Sequence, residues 1–279
     1  MLSFNEIQKE FDVGLTGIGA HRSMIKEYLQ CKILEFIYRG PFKKRLIFIG
    51  GTKLRLLNNF RRFSEDLDFD LAEEYDSNDH LALCEYLVSE FNKQNIRAEI
   101  DEDKKIKEFD VLTRYINFPT ILELAGIKDI PGRKFFIKID VQKHNYGSYS
   151  YNMDTQVLNR FDVFTPVNSA PNSMILATKL CSILERSKGR DYYDIVELVK
   201  IAKPDLDYIS NRFEFGRLKK KYLGPGSYIE LVRPILDAVD WADKTKEIEK
   251  FLFNPDEATK VQMFPSYATD AIITNWLHN

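Results

Sequence analysis

Acidic residues recur at every second position in Arg61-Arg62-Phe63-Ser64-Glu65-Asp66-Leu67-Asp68-Phe69-Asp70. A strand has a side-chain period of two, so Asp66, Asp68 and Asp70 should project from one face while Leu67, Phe69 and Leu71 fill the other. Carboxylates crowded on one face repel unless a cation or an arginine neutralises them. Hard oxygen donors of this kind suit Mg²⁺ or Mn²⁺. A second stretch, KFFIKIDV from Lys134, sets Phe135, Ile137, Ile139 and Val141 on one face and Lys138 and Asp140 on the other, so Asp140 can join the same cluster. In two-metal phosphoryl and nucleotidyl transfer, ions about 3.5–4 Å apart stabilise the attacking and leaving oxygens, and three carboxylates supply their ligands. The acid farthest from the triphosphate is then a candidate general base for an acceptor hydroxyl. Lys138 either balances the acids or is a surface lysine of an edge strand.

Upstream lies Gly50-Gly51-Thr52, where an apolar run meets residues of helical type. A glycine pair at such a turn exposes backbone N–H groups at a helix N-terminus, where phosphate oxygens are attracted, and Thr52 adds a hydroxyl donor. Either feature alone is weak, since a bare D-x-D is more often a solvated face and a glycine pair more often plain turn geometry. Their ordered combination is far rarer and points to a nucleotide. A further block holds Lys179, on a helix whose apolar members include Met174, Ile175, Leu176, Leu180 and Ile183, followed by Arg190-Asp191-Tyr192-Tyr193-Asp194. A lysine in that setting ordinarily snorkels to solvent. Asp191 and Asp194, three apart, share one helical face, and Asp191 also suits a helix start.

The elements that would position these groups can be read from periodicity. Residues 21–38 form an amphipathic helix stopped by Gly40-Pro41, Leu46–Ile49 a strand, and TKLRLL a helix. Strands are expected at 65–71, 96–101, 109–118 and from about Lys134, with a helix at about 80–94. After about residue 165 the strand signal fades into two helices joined near 187–189 and a helical remainder punctuated by Pro225, Pro255 and Pro265. The expected domains are 1–165, a mixed sheet with flanking helices, and 166–279, a helical bundle.

The chain has 279 residues, 44% hydrophobic and 29% charged, which excludes disorder and fibrous classes. It holds no run of 18 apolar residues and no basic-then-apolar leader at its start, so a cytoplasmic protein without membrane contact is expected. Cys31, Cys84 and Cys181 are odd in number and far apart, which supports neither a disulfide framework nor a zinc site. Forty basic against 42 acidic residues give a net charge of -2, so any polyanion must be met by a local patch such as 43–45, 61–62, 186–190 or 217–221. Tyr222, Tyr228 and Trp241 could stack on RNA bases but suit a helical core better. His144 is the one histidine close in sequence to the proposed cluster.

GGTKLRLL, RRFSEDLDFDL, FFIKIDV, ILATKL and SKGRDYYDIVEL, in that order over about residues 45–200, resemble the nucleotidyltransferase AbiEii/AbiGii toxin family, part of the DNA polymerase β-like nucleotidyltransferase superfamily. The resemblance implies an α+β fold with a polymerase β-like mixed sheet and flanking helices, followed by a helical-bundle domain, with nucleotide in the cleft between the two. It implies that Asp66, Asp68 and Asp140 bind Mg²⁺ or Mn²⁺, that Gly51 and Thr52 hold triphosphate, and that Arg62 and Ser64 support the loop or the nucleotide. It sets Lys179 against the nucleotide phosphates, positioned by Asp191 or Asp194, with Arg190 facing the active cleft. The activity implied is transfer of NMP from an NTP to an acceptor hydroxyl, as the toxin of a bacterial toxin–antitoxin or phage-defence system with a cognate antitoxin. The acceptor implied is an RNA, at the tRNA 3′ end. The alternatives are a small-molecule or protein hydroxyl as acceptor, or a non-catalytic partner-binding module with the same fold. The resemblance does not extend beyond about residue 205, where acceptor specificity is expected to lie.

Overall fold

The computed structural model describes residues 2–11, 14–102, 106–108, 111–127, 134–142, 149–216 and 218–278. His144 and Arg217, both weighed from the sequence, lie outside the described residues. The chain divides into two compact units, Met1–His144 with Met153–Ser169, and Asn145–Asn152 with Ala170–Asn279.

The first unit opens with a short helix α1 (Phe4–Gln8) and the long α2 (Ile18–Arg39). Then follow β1 (Leu46–Ile49), α3 (Gly50–Asn58), β2 (Leu67–Leu71), α4 (Ser77–Lys93), β3 (Glu99–Ile100), β4 (Ile106–Glu108), β5 (Val111–Asn117), α5 (Ile121–Leu124), β6 (Phe136–Gln142), β7 (Asp154–Arg160) and β8 (Val163–Ser169). The eight strands make one mixed sheet in the order β3-β5-β6-β2-β1-β8-β7, with β4 also on β5. Leu46–Ile49 forms as a strand because all four residues are apolar and all four are buried. In β6 the alternation read from the sequence holds, with Ile137, Ile139 and Val141 buried and Lys138 and Asp140 on the more open face.

Two elements depart from expectation. β2 starts at Leu67, so Asp66 precedes the strand, and Asp70, expected beside the other acids, is buried. The hairpin of β7 and β8 was not legible, because half of each strand faces solvent and Pro166 interrupts the pattern. In β8 only Val163, Thr165, Val167 and Ser169 point inward. Of the strand expected at 96–101, only Glu99 and Ile100 pair.

α2 is the most deeply embedded helix of this unit, and four of its buried residues are polar or charged: Glu27, Gln30, Lys32 and Glu35. Glu27 receives both Nε and Nη2 of Arg55 at 2.9 Å, while Arg55 Nη1 donates to the Phe60 carbonyl at 3.1 Å. Arg160 Nε lies 2.8 Å from Glu27 Oε1 as an ion pair without hydrogen-bond alignment. Gln30 Nε2 donates to the Ser64 carbonyl at 3.1 Å. The loop that leads into β2 is therefore tied to α2 by a buried charge network that clamps both its ends.

The second unit carries α6 (Asn172–Glu185), α7 (Gly189–Leu198), α8 (Leu206–Phe215), α9 (Pro225–Ala238) and α10 (Trp241–Glu249), then short helices to Trp276. Tyr228 is fully buried, with its hydroxyl on the Leu180 carbonyl at 2.9 Å, and Trp241 packs edge-on against Tyr192 with ring centroids 4.9 Å apart. Tyr222 lies against Phe213. Tyr228 is core, whereas Tyr222 and Trp241 are half-buried at its margin. Lys219, Lys220 and Lys221 are exposed. All three cysteines are free and buried. No helix among the described residues is long and apolar enough to cross a membrane.

Removing one partner of a buried ion pair leaves the other uncompensated. Glu27→Ala should lower the unfolding free energy in urea by about 3–5 kcal/mol, and Glu27→Ala with Arg55→Met should recover part of that loss.

Candidate active site

Three strands bring the acids of the first unit together. β2 and β6 run parallel with Asp68 directly opposite Asp140, and β5 runs antiparallel to β6 with Thr113 opposite Asp140. Paired residues project to the same face, so Thr113, Asp140 and Asp68 stand in a row across the sheet. Asp66, in the loop just before β2, is half-buried like Asp68 and Asp140.

Asp140 is held at both oxygens. The Thr113 hydroxyl donates to Oδ1 at 2.6 Å, and the Lys138 ammonium donates to Oδ2 at 2.5 Å. Burial pushes the Lys138 pKa down, but the hydrogen bond and charge of Asp140, with Asp66 and Asp68 beyond it, outweigh burial and leave it raised. A second cation approaches from α2. Lys26 Nζ lies 3.7 Å from Glu65 and 5.8 Å from the centre of the Phe136 ring. Burial lowers its pKa against the opposing pull of Glu65 and Asp66. The acid face thus meets lysines from both β6 and α2.

The glycine pair lies at the start of α3, where no side chain caps the helix. Gly50 has φ +79°, a left-handed conformation that glycine adopts without strain, and a Cβ there would collide with the Asp68 carboxylate. At Gly51 a Cβ would come within 2.6 Å of Arg62 Nη2 and 3.0 Å of Ser64 Oγ. The absence of side chains lets the acid strand and the loop close onto the helix end.

Thr52 lies in the first turn of α3. It is buried and its hydroxyl donates to the Asp66 carbonyl, which ties the backbone of the acid loop to the helix start. Arg62 is also buried, with Nη1 on the Phe63 carbonyl at 3.1 Å, and it supports the loop from within. Ser64 is half-buried beside Gly51. Lys53, next to Thr52, is buried against Asn58 with its pKa pushed down to about 8 by loss of water.

Among the described residues, no three His, Cys, Asp or Glu side chains converge closely enough to enclose a metal ion as placed. Asp140 is turned to Thr113 and Lys138 instead. The donor set still fits Mg²⁺ or Mn²⁺ in its chemistry: three carboxylates gathered at one region of the sheet, with Asp68 and Asp140 directly opposed in register.

In the second unit, α6 and α7 bring Lys179, Asp191 and Asp194 together. Lys179 Nζ lies 2.8 Å from Asp191 Oδ1 and 2.7 Å from Asp194 Oδ2, with the lysine 5% exposed and both acids at 0%. The ordinary expectation of a snorkelling lysine fails here, because two buried acids hold the ammonium inside. Arg186, read from the sequence only as part of the basic patch 186–190, adds Nε at 3.0 Å from Asp191 Oδ2 and Nη2 at 3.0 Å from Oδ1. Burial raises the Asp191 pKa, but Lys179 and Arg186 outweigh it and hold the carboxyl well below the usual carboxylate range. Arg190 is half-buried. Gly189 opens α7 because a Cβ there would strike the Lys244 carbonyl, and its N–H donates to Glu247 at 3.0 Å.

The sequence model of the family described as nucleotidyl transferase AbiEii toxin, type IV toxin–antitoxin system, matches residues 32–267. Among solved structures, MenT4, a nucleotidyltransferase toxin from Mycobacterium tuberculosis H37Rv, superposes with a TM-score of 0.62 at 14% identity, covering 99% of this chain and 94% of that one. A Helicobacter pylori protein assigned as a nucleotidyltransferase gives 0.50 at 17% identity, covering 92% and 96%. At these identities the structures speak to the fold alone. No curated protein matches in sequence.

Two outcomes follow from this geometry. Gly50→Ala forces a side chain into a positive φ and against Asp68, and should cost about 1–3 kcal/mol in chemical denaturation. The depressed Asp191 pKa contributes stability that is complete above the unfolded carboxylate value and is lost as pH falls towards the folded one. Acid denaturation should therefore steepen below about pH 4 in the wild type, and Lys179→Met should both destabilise the protein at pH 7 and flatten that slope.

Proposed function

The chain belongs to the AbiEii nucleotidyltransferase toxin family of type IV toxin–antitoxin systems, and from that premise we propose a divalent-metal-dependent enzyme that transfers NMP from an NTP to the hydroxyl of an RNA, at the tRNA 3′ end. The observation that carries the reading is the register of β2 and β6, which opposes Asp68 to Asp140 beside the uncapped glycine start of α3. Asp66, Asp68 and Asp140 would hold Mg²⁺ or Mn²⁺. Such ions, when bound, offset charge on the phosphoryl oxygens and stabilise the attacking and leaving oxygens.

The backbone N–H groups of Gly50, Gly51 and Thr52 orient the triphosphate through the partial positive charge of the helix end. Arg62, Ser64 and the Thr52 hydroxyl keep the loop in the conformation that presents the acids. Asp140, on the β6 side, takes the proton of the acceptor hydroxyl as that oxygen attacks the α-phosphorus and pyrophosphate leaves. In the second unit Lys179, Arg190, Asp191 and Asp194 serve nucleotide binding, a role that rests on the family resemblance and that the ion-pair cluster supports by fixing the lysine. The protein acts in the cytoplasm as the toxin of a phage-defence system.

Incubation with each of the four α-labelled NTPs, Mg²⁺ and total RNA tests the reading. Label should enter RNA, and Asp68→Asn should reduce it at least about 100-fold, matching the several kcal/mol a metal centre supplies. Label in protein or a small acceptor would overturn the RNA acceptor while leaving the transfer chemistry intact. Full incorporation by Asp68→Asn would overturn the metal centre.

A further inference from the structure

Lys138 lies two residues before Asp140 on β6, on the same face, and no element other than its own strand is needed to bring the two together. Its ammonium sits 2.5 Å from Asp140 Oδ2, and the charges of Asp66 and Asp68 act on it as well. The other Asp140 oxygen has its own donor in Thr113, opposite it on β5. Thr113 therefore fixes the carboxylate while leaving Oδ2 to whichever cation holds it. Lysine carries a compact charge on a flexible four-carbon stem, which can leave a carboxylate without disturbing the backbone.

We propose that Lys138 is a resident counter-ion of the acid cluster: it holds Asp140 Oδ2 when no divalent cation is present and competes directly with that cation for the same oxygen. This rests on the metal reading of Asp66, Asp68 and Asp140 given above. Its physical basis is that Asp140 stands opposite Asp68 with Asp66 close by, that like carboxylates repel, and that the attached ammonium and a free divalent ion are alternative partners for Oδ2. The attached ammonium keeps the face assembled at low metal and makes occupancy by the ion less favourable than the acids alone would give. Lys26 does not duplicate this role, since its ion pair is with Glu65, 3.7 Å away, on the loop side.

The test is Mn²⁺ binding to the full chain without nucleotide, read by the electron paramagnetic resonance signal of free Mn²⁺, with thermal melting in chelator alongside. Lys138→Met, which keeps the stem and removes the charge, should bind Mn²⁺ about tenfold tighter than the wild type and melt lower in chelator, with Mn²⁺ restoring the difference. Lys138→Arg, which keeps a cation at that oxygen, should bind no tighter than the wild type. A purely structural lysine would lower melting with and without Mn²⁺ and weaken binding. Unchanged or weaker Mn²⁺ affinity in Lys138→Met would overturn the proposal while wild-type binding that Asp68→Asn abolishes keeps the metal reading. Wild-type protein that binds no Mn²⁺ would overturn both.

Discussion

Like charges placed in register on neighbouring strands set the terms for the first unit. Asp68 and Asp140 sit opposite each other on parallel β2 and β6, with Asp66 close by, and such an arrangement persists only if its surroundings relieve the repulsion and fix the backbone. Relief comes from Lys138, the Thr113 hydroxyl and Lys26. Backbone fixation comes from a buried layer behind, where Thr52 holds the Asp66 carbonyl, Gln30 holds the Ser64 carbonyl, and Arg55 joins Glu27 to the Phe60 carbonyl. The glycine pair belongs to this layer as much as to any ligand, since its bare Cα atoms are where Asp68 and Arg62 press in.

The second unit handles charge in the opposite way. Asp191 and Asp194 are fully buried, and they are matched there by Lys179 and by Arg186, which reaches in from solvent. A buried cluster of this kind gains little over an apolar one but loses heavily when one member is removed, so it defines geometry more than it adds stability. The two arrangements differ in access: the acid face is half-open to solvent, whereas the closed cluster holds its lysine in one place.

Short-range pattern made much of this legible in advance. The alternation of KFFIKIDV fixed which residues of β6 face the core, the apolar Leu46–Ile49 marked β1, and the glycine pair marked the start of α3. Strand periodicity brought Asp68 and Asp140 to one sheet face, whereas Asp66 precedes β2 and Asp70 is buried. Long-range polar contacts carried no such signal. Nothing local in the sequence tells Glu27 that its partners are Arg55 and Arg160, or Thr113 that it will stand opposite Asp140, because those pairings arise only from the order of strands in the sheet. The bond from the Thr52 hydroxyl to the Asp66 carbonyl is equally invisible in the sequence, because it spans the turn from α3 to the acid loop. The β7–β8 hairpin escaped because a strand with one wet face and a proline presents too few apolar residues to stand out.

Between β2 and β6 the chain lays down α4, β3, β4, β5 and α5 before it returns to pair in parallel. Asp68 is therefore made long before the strand that completes its surroundings, and a ribosome-bound chain short of β6 has one half of the cluster and no Asp140. Pairing is also sensitive to slippage, because an offset of a single residue would turn Asp140 inward and Ile139 outward. The opposition of the two acids thus exists only after β6 has been made and has paired with β2 in this one register.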